Sequence, residues 1–176
     1  MQPIIREYYI KDNGQFPNSP LPVLVYKGIL NIPFFCAAKS VRKIFQKNGW
    51  TNNWQSGIYT YHHYHSITHE AFAAVKGQTV LLLGGENGKV MKFEKGDVII
   101  IPAGVAHKNL GKENDVICVG GYPEGKDFDM NYGEEGERPG TDQNISNVSI
   151  PSTDPVYGEN ENGLLSVWKP LLEATT

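Results

Sequence analysis

The stretch "HHYHSITHE", residues 62 to 70, holds four of the chain's five histidines and one glutamate. Neutral imidazole nitrogens and a carboxylate oxygen form a mixed donor set. It suits a divalent transition metal such as Fe, Mn, Ni, Co, Cu or Zn. His63 and His65 are two residues apart, so on a strand both imidazoles point to one face. Glu70 follows a short connection and opens the apolar segment "EAFAAV". A hairpin-like return there would bring its carboxylate beside the two imidazoles. The fifth histidine, His107, lies in "IPAGVAHKNLG", where Pro102 and Gly104 make a turn that can bring it alongside the first pair. Four protein ligands on a six-coordinate ion leave two positions open for water, dioxygen or a bidentate substrate. A cation is expected because an unpaired buried glutamate is costly.

The neighbouring residues each have a functional and a plain reading. Glu70, His69 and Tyr61 are the catalytic candidates. His69 is either a supporting partner or acid/base group near the pocket, or a structural histidine. Tyr59 and Tyr61 share the period-two face of His63 and His65. They either offer hydroxyls to a substrate or pack in the core. Phe72 and Ala74 share Glu70's face and would form apolar wall. Tyr59, Tyr61 and Phe72 are thus the substrate-binding candidates. His62, on the opposite face from His63, is expected to be a surface or packing residue. Lys108 and Asn109 are expected at a solvated rim. Trp50 and Trp54 in "NGWTNNWQSG" either close one mouth of the fold or bury a helix-to-strand corner.

These residues must be held by short elements. "LPVLVYKGIL" is expected as a strand, and so is "GIYTYHHYH". "EAFAAV" and "TVLLLGG" are expected to flank a tight "KGQ" turn. "ENGK" carries the Asn-Gly signal of a two-residue hairpin. "KVMKFEKGDVIIIPAG" supplies two strands around Lys95-Gly96, and "DVICVGGY" another. "AAKSVRKIFQKNGW" is the amphipathic helix, with Val41, Ile44 and Phe45 at helical spacing and Gly49 to end it. Short strands punctuated by turn signals argue for an all-β antiparallel barrel or sandwich. Beyond Gly125 the chain turns polar and irregular, and "GEEGERPG" is expected as a solvated loop. Apolar anchors, Trp168 among them, predict a tail that packs back and ends in a short element.

The 176 residues, 40% hydrophobic, suit one domain: a core over about 57–121, an N-terminal extension 1–56 and a wrapping tail 122–176. A net charge of -3 excludes a nucleic-acid footprint. No apolar run has membrane-spanning length, and the start lacks the pattern of a signal peptide, so a cytoplasmic protein is expected. Cys36 and Cys118 are expected as buried thiols rather than a disulfide. The sequons at Asn144 and Asn147 are expected to be accidental. The strands of the expected barrel carry no obvious arginine, which disfavours a phosphorylated substrate.

The two histidine segments resemble the paired motifs of the cupins. "GIYTYHHYHSITHEAFAAVKG" matches G-x5-H-x-H-x4-E-x6-G at Gly57, His63, His65, Glu70 and Gly77. "GDVIIIPAGVAH" matches G-x5-P-x-G-x2-H at Gly96, Pro102, Gly104 and His107. The family often has an asparagine four residues after the last histidine. Here that position is Gly111, with Asn109 two residues before it. The resemblance covers Gly57 to about Gly121 and implies a jelly-roll (double-stranded β-helix) barrel; the one N-terminal helix and the irregular C-terminal tail lie outside the motifs. It implies one divalent metal ion (Fe, Mn, Ni or Zn) on His63, His65, Glu70 and His107, and a homodimer. Within such a fold a dioxygenase or isomerase acting on a small polar substrate is expected, the alternative being a non-catalytic binding or structural module.

Overall fold

The computed structural model describes residues 4–174. Eight strands form one open antiparallel sheet system: β1 (Ile4–Ile10), β2 (Ser19–Lys27), β3 (Trp50–Ser56), β4 (Glu70–Leu83), β5 (Lys89–Glu94), β6 (Val98–Ile101), β7 (His107–Asn109) and β8 (Val116–Pro123). The strand order is β1-β2-β6-β4-β8-β3, and β5 and β7 also pair with β4. The sheet is not closed into a barrel; it is a jelly roll whose two halves share β4. The N-terminal extension therefore supplies three strands to the same sheet.

β4 carries the architecture. Its first half pairs β6 and β8, with Phe72 opposite Ile99 and Gly120. Its second half pairs β5 and β7, with Leu83 opposite Lys89 and His107. The expected "KGQ" turn is absent. The strand instead runs through these residues, with a register shift between Ala74 and Lys76 and Gly77 at φ +75°. A Cβ on Gly77 would fall 2.0 Å from the Asp115 carbonyl oxygen, so only glycine fits. The Asn87-Gly88 hairpin is real, but its loop spans Gly84 to Gly88 rather than two residues.

The uninterrupted apolar run "EAFAAV" is explained by burial on both faces. Phe72 and Ala74 point inward with Leu81, Leu83, Ile99 and Ile101. Ala71, Ala73 and Val75 point outward, against Val41 and Phe45 of α1 (Ala37–Lys47) and Leu164, Leu165 and Trp168 of α3 (Leu164–Glu173). The tail is thus not wholly irregular. It contains α2 (Gly140–Ser146) and α3, and Trp168 is fully buried with Nε1 donating to the Pro22 carbonyl at 3.0 Å. A buried carboxylate fastens the tail. Asp154 accepts from the Tyr26 hydroxyl at 2.5 Å and from the amides of Val156, Tyr157 and Leu164. "GEEGERPG" is more than a solvated loop. Glu137 accepts from the Tyr64 hydroxyl and the amides of Tyr132 and Gly133, and Arg138 clamps Asp12 to Asp142.

Both cysteines are free, but Cys36 is exposed at the start of α1, where a left-handed φ of 58° turns it outward; only Cys118 is buried. Among the described residues no helix is long and apolar enough to cross a membrane.

Candidate metal centre

The segment Gly57–His65 is not the expected strand. Its backbone meets the chain ahead at Asn109, whose amide bonds the Tyr59 carbonyl, and again at a reciprocal His63–His107 pair. Four residues lead from Tyr59 to His63 but only two from His107 to Asn109, so two residues bulge out. An even-numbered bulge preserves the side-chain parity of a strand. His63 therefore still faces inward, while the bulge carries Tyr61 to the surface and leaves His62 partly buried against Phe16.

The structure brings His63, His65 and His107 together, with one ring nitrogen of each within 4.8 Å of the others. All three are buried, as is Glu70. Each Nδ1 faces a backbone carbonyl: His63 that of Tyr61 at 3.2 Å, His65 that of Asp129 at 2.6 Å, His107 that of Val105 at 3.0 Å. A carbonyl can only accept, so each Nδ1 carries a proton and each Nε2 is left as the potential ligand atom. Carbonyl support of this kind is what fixes a metal-binding imidazole's tautomer and orientation. Glu70 Oε2 lies 3.2 Å from His65 Nε2 and 3.5 Å from His107 Nε2. Its other oxygen accepts from the Tyr122 hydroxyl at 3.0 Å. The donor set therefore fits a divalent transition metal: three oriented imidazoles with a carboxylate against two of them.

The electrostatics agree with this. Burial, helped by the His107 ring, pushes the His63 pKa down to about 3, so this imidazole stays neutral. For Glu70, burial opposes the charge, yet His65 and His107 outweigh it and hold the carboxyl well below its ordinary range. Burial also opposes charge on His65, but Glu70 reverses the balance and raises its pKa. Each group thus favours the charged form of the other, and a cation held by the same nitrogens and carboxylate would offset the Glu70 charge in the same way.

The other candidates separate. Tyr59 and Phe72 line a cavity of about 220 Å³ that opens from the imidazoles. Tyr61 does not line it. It stacks on Tyr59 at 4.9 Å and borders an outer groove with His62 and Tyr132. His62 pairs with Glu86 and rests on Phe16. Asn109 is buried rather than at a rim, accepting from the Thr79 hydroxyl and the Gly111 amide. Of the tryptophans, Trp50 buries the helix-to-strand corner and Trp54 lines the cavity.

His69 points away from the cavity, against Trp168. Its Nδ1 accepts from the Ala103 amide at 2.9 Å and its Nε2 donates to the Ser149 carbonyl at 3.2 Å. Burial lowers its pKa from 6.5 to about 4. The folded protein thus binds fewer protons there than the unfolded chain, and stability falls as pH drops from about 6.5 to about 4. The wild type should lose up to about 3 kcal/mol more than His69→Gln across that window. Denaturant titrations at pH 7 and 4.5 check this; equal losses would mean that His69 does not fold as a neutral, hydrogen-bonded ring.

Four contributors come from outside the two motifs, and of these only Trp54 was singled out in the sequence, as a residue that closes a mouth of the fold or buries a corner. Tyr122 arrives from β8, Trp54 from β3, and the tail supplies Phe128 and Asp129. Phe128 stacks on Tyr122 at 5.1 Å and meets the His65 ring at 5.3 Å. The Asp129 carboxylate accepts from the amides of Ser66 and Ile67, the Ser66 hydroxyl and the Asn131 amide group. That clamp seats the carbonyl that orients His65. Asp129→Ala should weaken metal binding about 10–100-fold while leaving the ligands intact. Competition with a chromophoric chelator measures it, and unchanged affinity would remove the tail from the site.

No family model matches the sequence. The uncharacterised protein YjlB of Bacillus subtilis is 37% identical over 162 residues, which cover 92% of this chain and 94% of YjlB. Among solved structures, acireductone dioxygenase from Bacillus anthracis, with cadmium in its active centre, gives a TM-score of 0.39 at 14% identity, covering 54% of this chain and 64% of that one. A DUF861 family protein from Thermotoga maritima gives 0.33 at 20%, covering 57% and 96%. Oxalate decarboxylase from Bacillus subtilis, described with Mn(II) centres, gives 0.36 at 15%, covering 63% and 27%. The chain thus spans less than two thirds of the dioxygenase and of the decarboxylase, and at these values the likenesses carry no argument about activity. A relative matched over nearly its whole length defines the kinship, and the paired motifs and the jelly roll that pivots on β4 are similar to those of the cupins: the chain belongs to the family of YjlB.

Proposed function

We propose that the protein is a mononuclear metal-dependent enzyme of the dioxygenase type acting on a small molecule. The observation that carries this reading is that the three imidazoles and Glu70 stand in the wall of a cavity, not in a closed shell. Structural metal sites are closed by their ligands, whereas catalytic sites keep positions open. A divalent metal on His63, His65, His107 and Glu70 would supply Lewis acidity and, if redox-active, dioxygen chemistry.

The chain's own residues have definable tasks. The carbonyls of Tyr61, Asp129 and Val105 orient the three rings. Tyr122 holds Glu70 in one rotamer through its Oε1. Ile58 and Phe72 keep water from the inner wall. An isomerase is the weaker alternative. Moving a proton between neighbouring carbons asks for a free acid and base beside the substrate. Here Glu70 is already engaged by Tyr122, His65 and His107. A phosphorylated sugar would also want a cation, and no lysine or arginine is among the described residues lining the cavity. The homodimer that the resemblance implies and the cytoplasmic location expected from the sequence belong to this proposal.

The test is metal analysis of untagged protein, followed by dioxygen uptake after loading with Fe(II), Mn(II) or Ni(II) and presentation of candidate substrates. One equivalent of metal with substrate-dependent uptake supports the reading. One equivalent of zinc, exchanging with no other metal and supporting no turnover, favours a non-catalytic binding module. No metal after every incubation sinks the enzyme reading.

A further inference from the structure

Helix α1 has one side that the fold does not use. Its apolar side belongs to the core: Val41 and Phe45 are buried, and Ala37, Ala38 and Ile44 pack beside them. On the other side Lys39, Lys43 and Lys47 follow at four-residue steps with Arg42 beside them, so the four cations share one stripe. The three lysines are exposed and Arg42 is half-buried. The helix contains no acidic residue. Among the described residues, none of the four cations is held in an ion pair or a side-chain hydrogen bond. In a chain of net charge -3 the stripe is a local reversal of sign.

Immediately before the helix stand Phe34 and Phe35, 88% and 78% exposed, more than any other large apolar side chain among the described residues. The two rings meet edge to face at 4.9 Å and belong to none of the core clusters. The chain is fixed on either side of them, since Ile32 and Ala37 both pack against the core. The rings thus stand on an anchored tip. A contiguous exposed apolar pair beside a stripe of cations marks an interaction surface.

The same features choose the occupant. Rings this exposed stand clear of the protein, so a folded partner would need a matching hole for them. A lipid interface accepts a protruding ring without one. A second copy related by a two-fold axis would set the same patch against itself, and the cations of the two stripes would repel. A nucleic acid would pair with the stripe through its phosphates and leave the phenylalanines in water.

We propose that the Phe34–Phe35 tip and the cationic stripe of α1 form a docking surface for an anionic lipid membrane. The rings enter the headgroup region and the four cations face lipid phosphates. Nothing crosses the bilayer, because α1 keeps its apolar side in the core. The proposal does not depend on the metal centre.

The experiment is flotation of the full chain with phosphatidylcholine vesicles made with and without phosphatidylglycerol, beside light scattering for its mass in solution. The protein should float with the anionic vesicles only, and added salt should release it. Lys39→Gln/Lys43→Gln should weaken partition about 30-fold. Phe34→Ser/Phe35→Ser should weaken it about tenfold or more. Both variants change exposed side chains alone, so circular dichroism and metal uptake should match the wild type. A wild type that stays in solution with both vesicles overturns the proposal, and so does equal flotation with both. If the phenylalanine variant floats like the wild type, the stripe is a polyanion site without the tip, and the proposal is wrong. A wild-type dimer that Phe34→Ser/Phe35→Ser turns into a monomer would show that a second copy covers the tip, which also overturns it.

Discussion

Replacing His107 by alanine should weaken binding of Zn(II), Mn(II) or Fe(II) by more than about 100-fold, beyond the 10–100-fold that loss of a supporting partner costs. His107 is 1% exposed and its Nδ1 is held by the Val105 carbonyl, so the ring has no freedom to be replaced by a neighbour or by water. Its removal leaves two imidazoles and one carboxylate, and deprives Glu70 of one of its two nitrogen neighbours. The fold should survive, because β7 is held to β4 and to His63 by backbone hydrogen bonds that alanine keeps. His62→Ala is the matched control. It lies in the same histidine-rich stretch but pairs with Glu86 at the surface, and metal binding should be unchanged. Elemental analysis with circular dichroism on the same samples decides. A folded His107→Ala protein that retains a full equivalent of metal would show that the three imidazoles are not the ligand set.

The second large effect is on stability. Asp154→Ala should destabilise the protein by about 3–5 kcal/mol, the usual cost of removing one partner from a buried polar cluster. Asp154 is wholly buried, and its two oxygens satisfy one hydroxyl and three amides. Alanine would strand all four donors, each at about 1–3 kcal/mol before relaxation. For a chain of this size that means a melting temperature lower by about 6–20 °C. Tyr26→Phe removes one donor and leaves the carboxylate three, so its loss should be about 1 kcal/mol. Metal binding by Asp154→Ala below its melting temperature should match the wild type, since the clasp holds the tail at Thr153–Leu164 and not the centre. Calorimetric melts check both; Asp154→Ala melting within about 2 °C of the wild type would mean that the tail is held by its apolar anchors alone.

The spacing of His63, His65, Glu70 and His107 was legible because the motifs are local. An odd-even rule places the first pair, and one turn at Pro102–Gly104 returns the last. Helix α1 and the strands β5, β6 and β8 were legible from period and punctuation. The same punctuation misled at Gly77, since a glycine with positive φ serves a turn and a bulge equally well. Only the carbonyl of Asp115 packed against it makes the strand continue. It misled again over "GIYTYHHYH", where the two-residue bulge depends on pairing with a segment more than forty residues away, and where Tyr61 was carried outward while Tyr59 stayed at the cavity.

By itself, then, the amino-acid order determined the donor types, their parity and the all-β class, because those rest on interactions between near neighbours. The tertiary structure alone decided what surrounds them. Trp54 reaches the cavity because β3 lies on Gly120 of β8, Tyr122 because β8 lies on β4, and Phe128 and Asp129 because the tail folds back over His65. No short window holds those contacts, since each is a meeting of segments whose sequence separation carries no periodic trace.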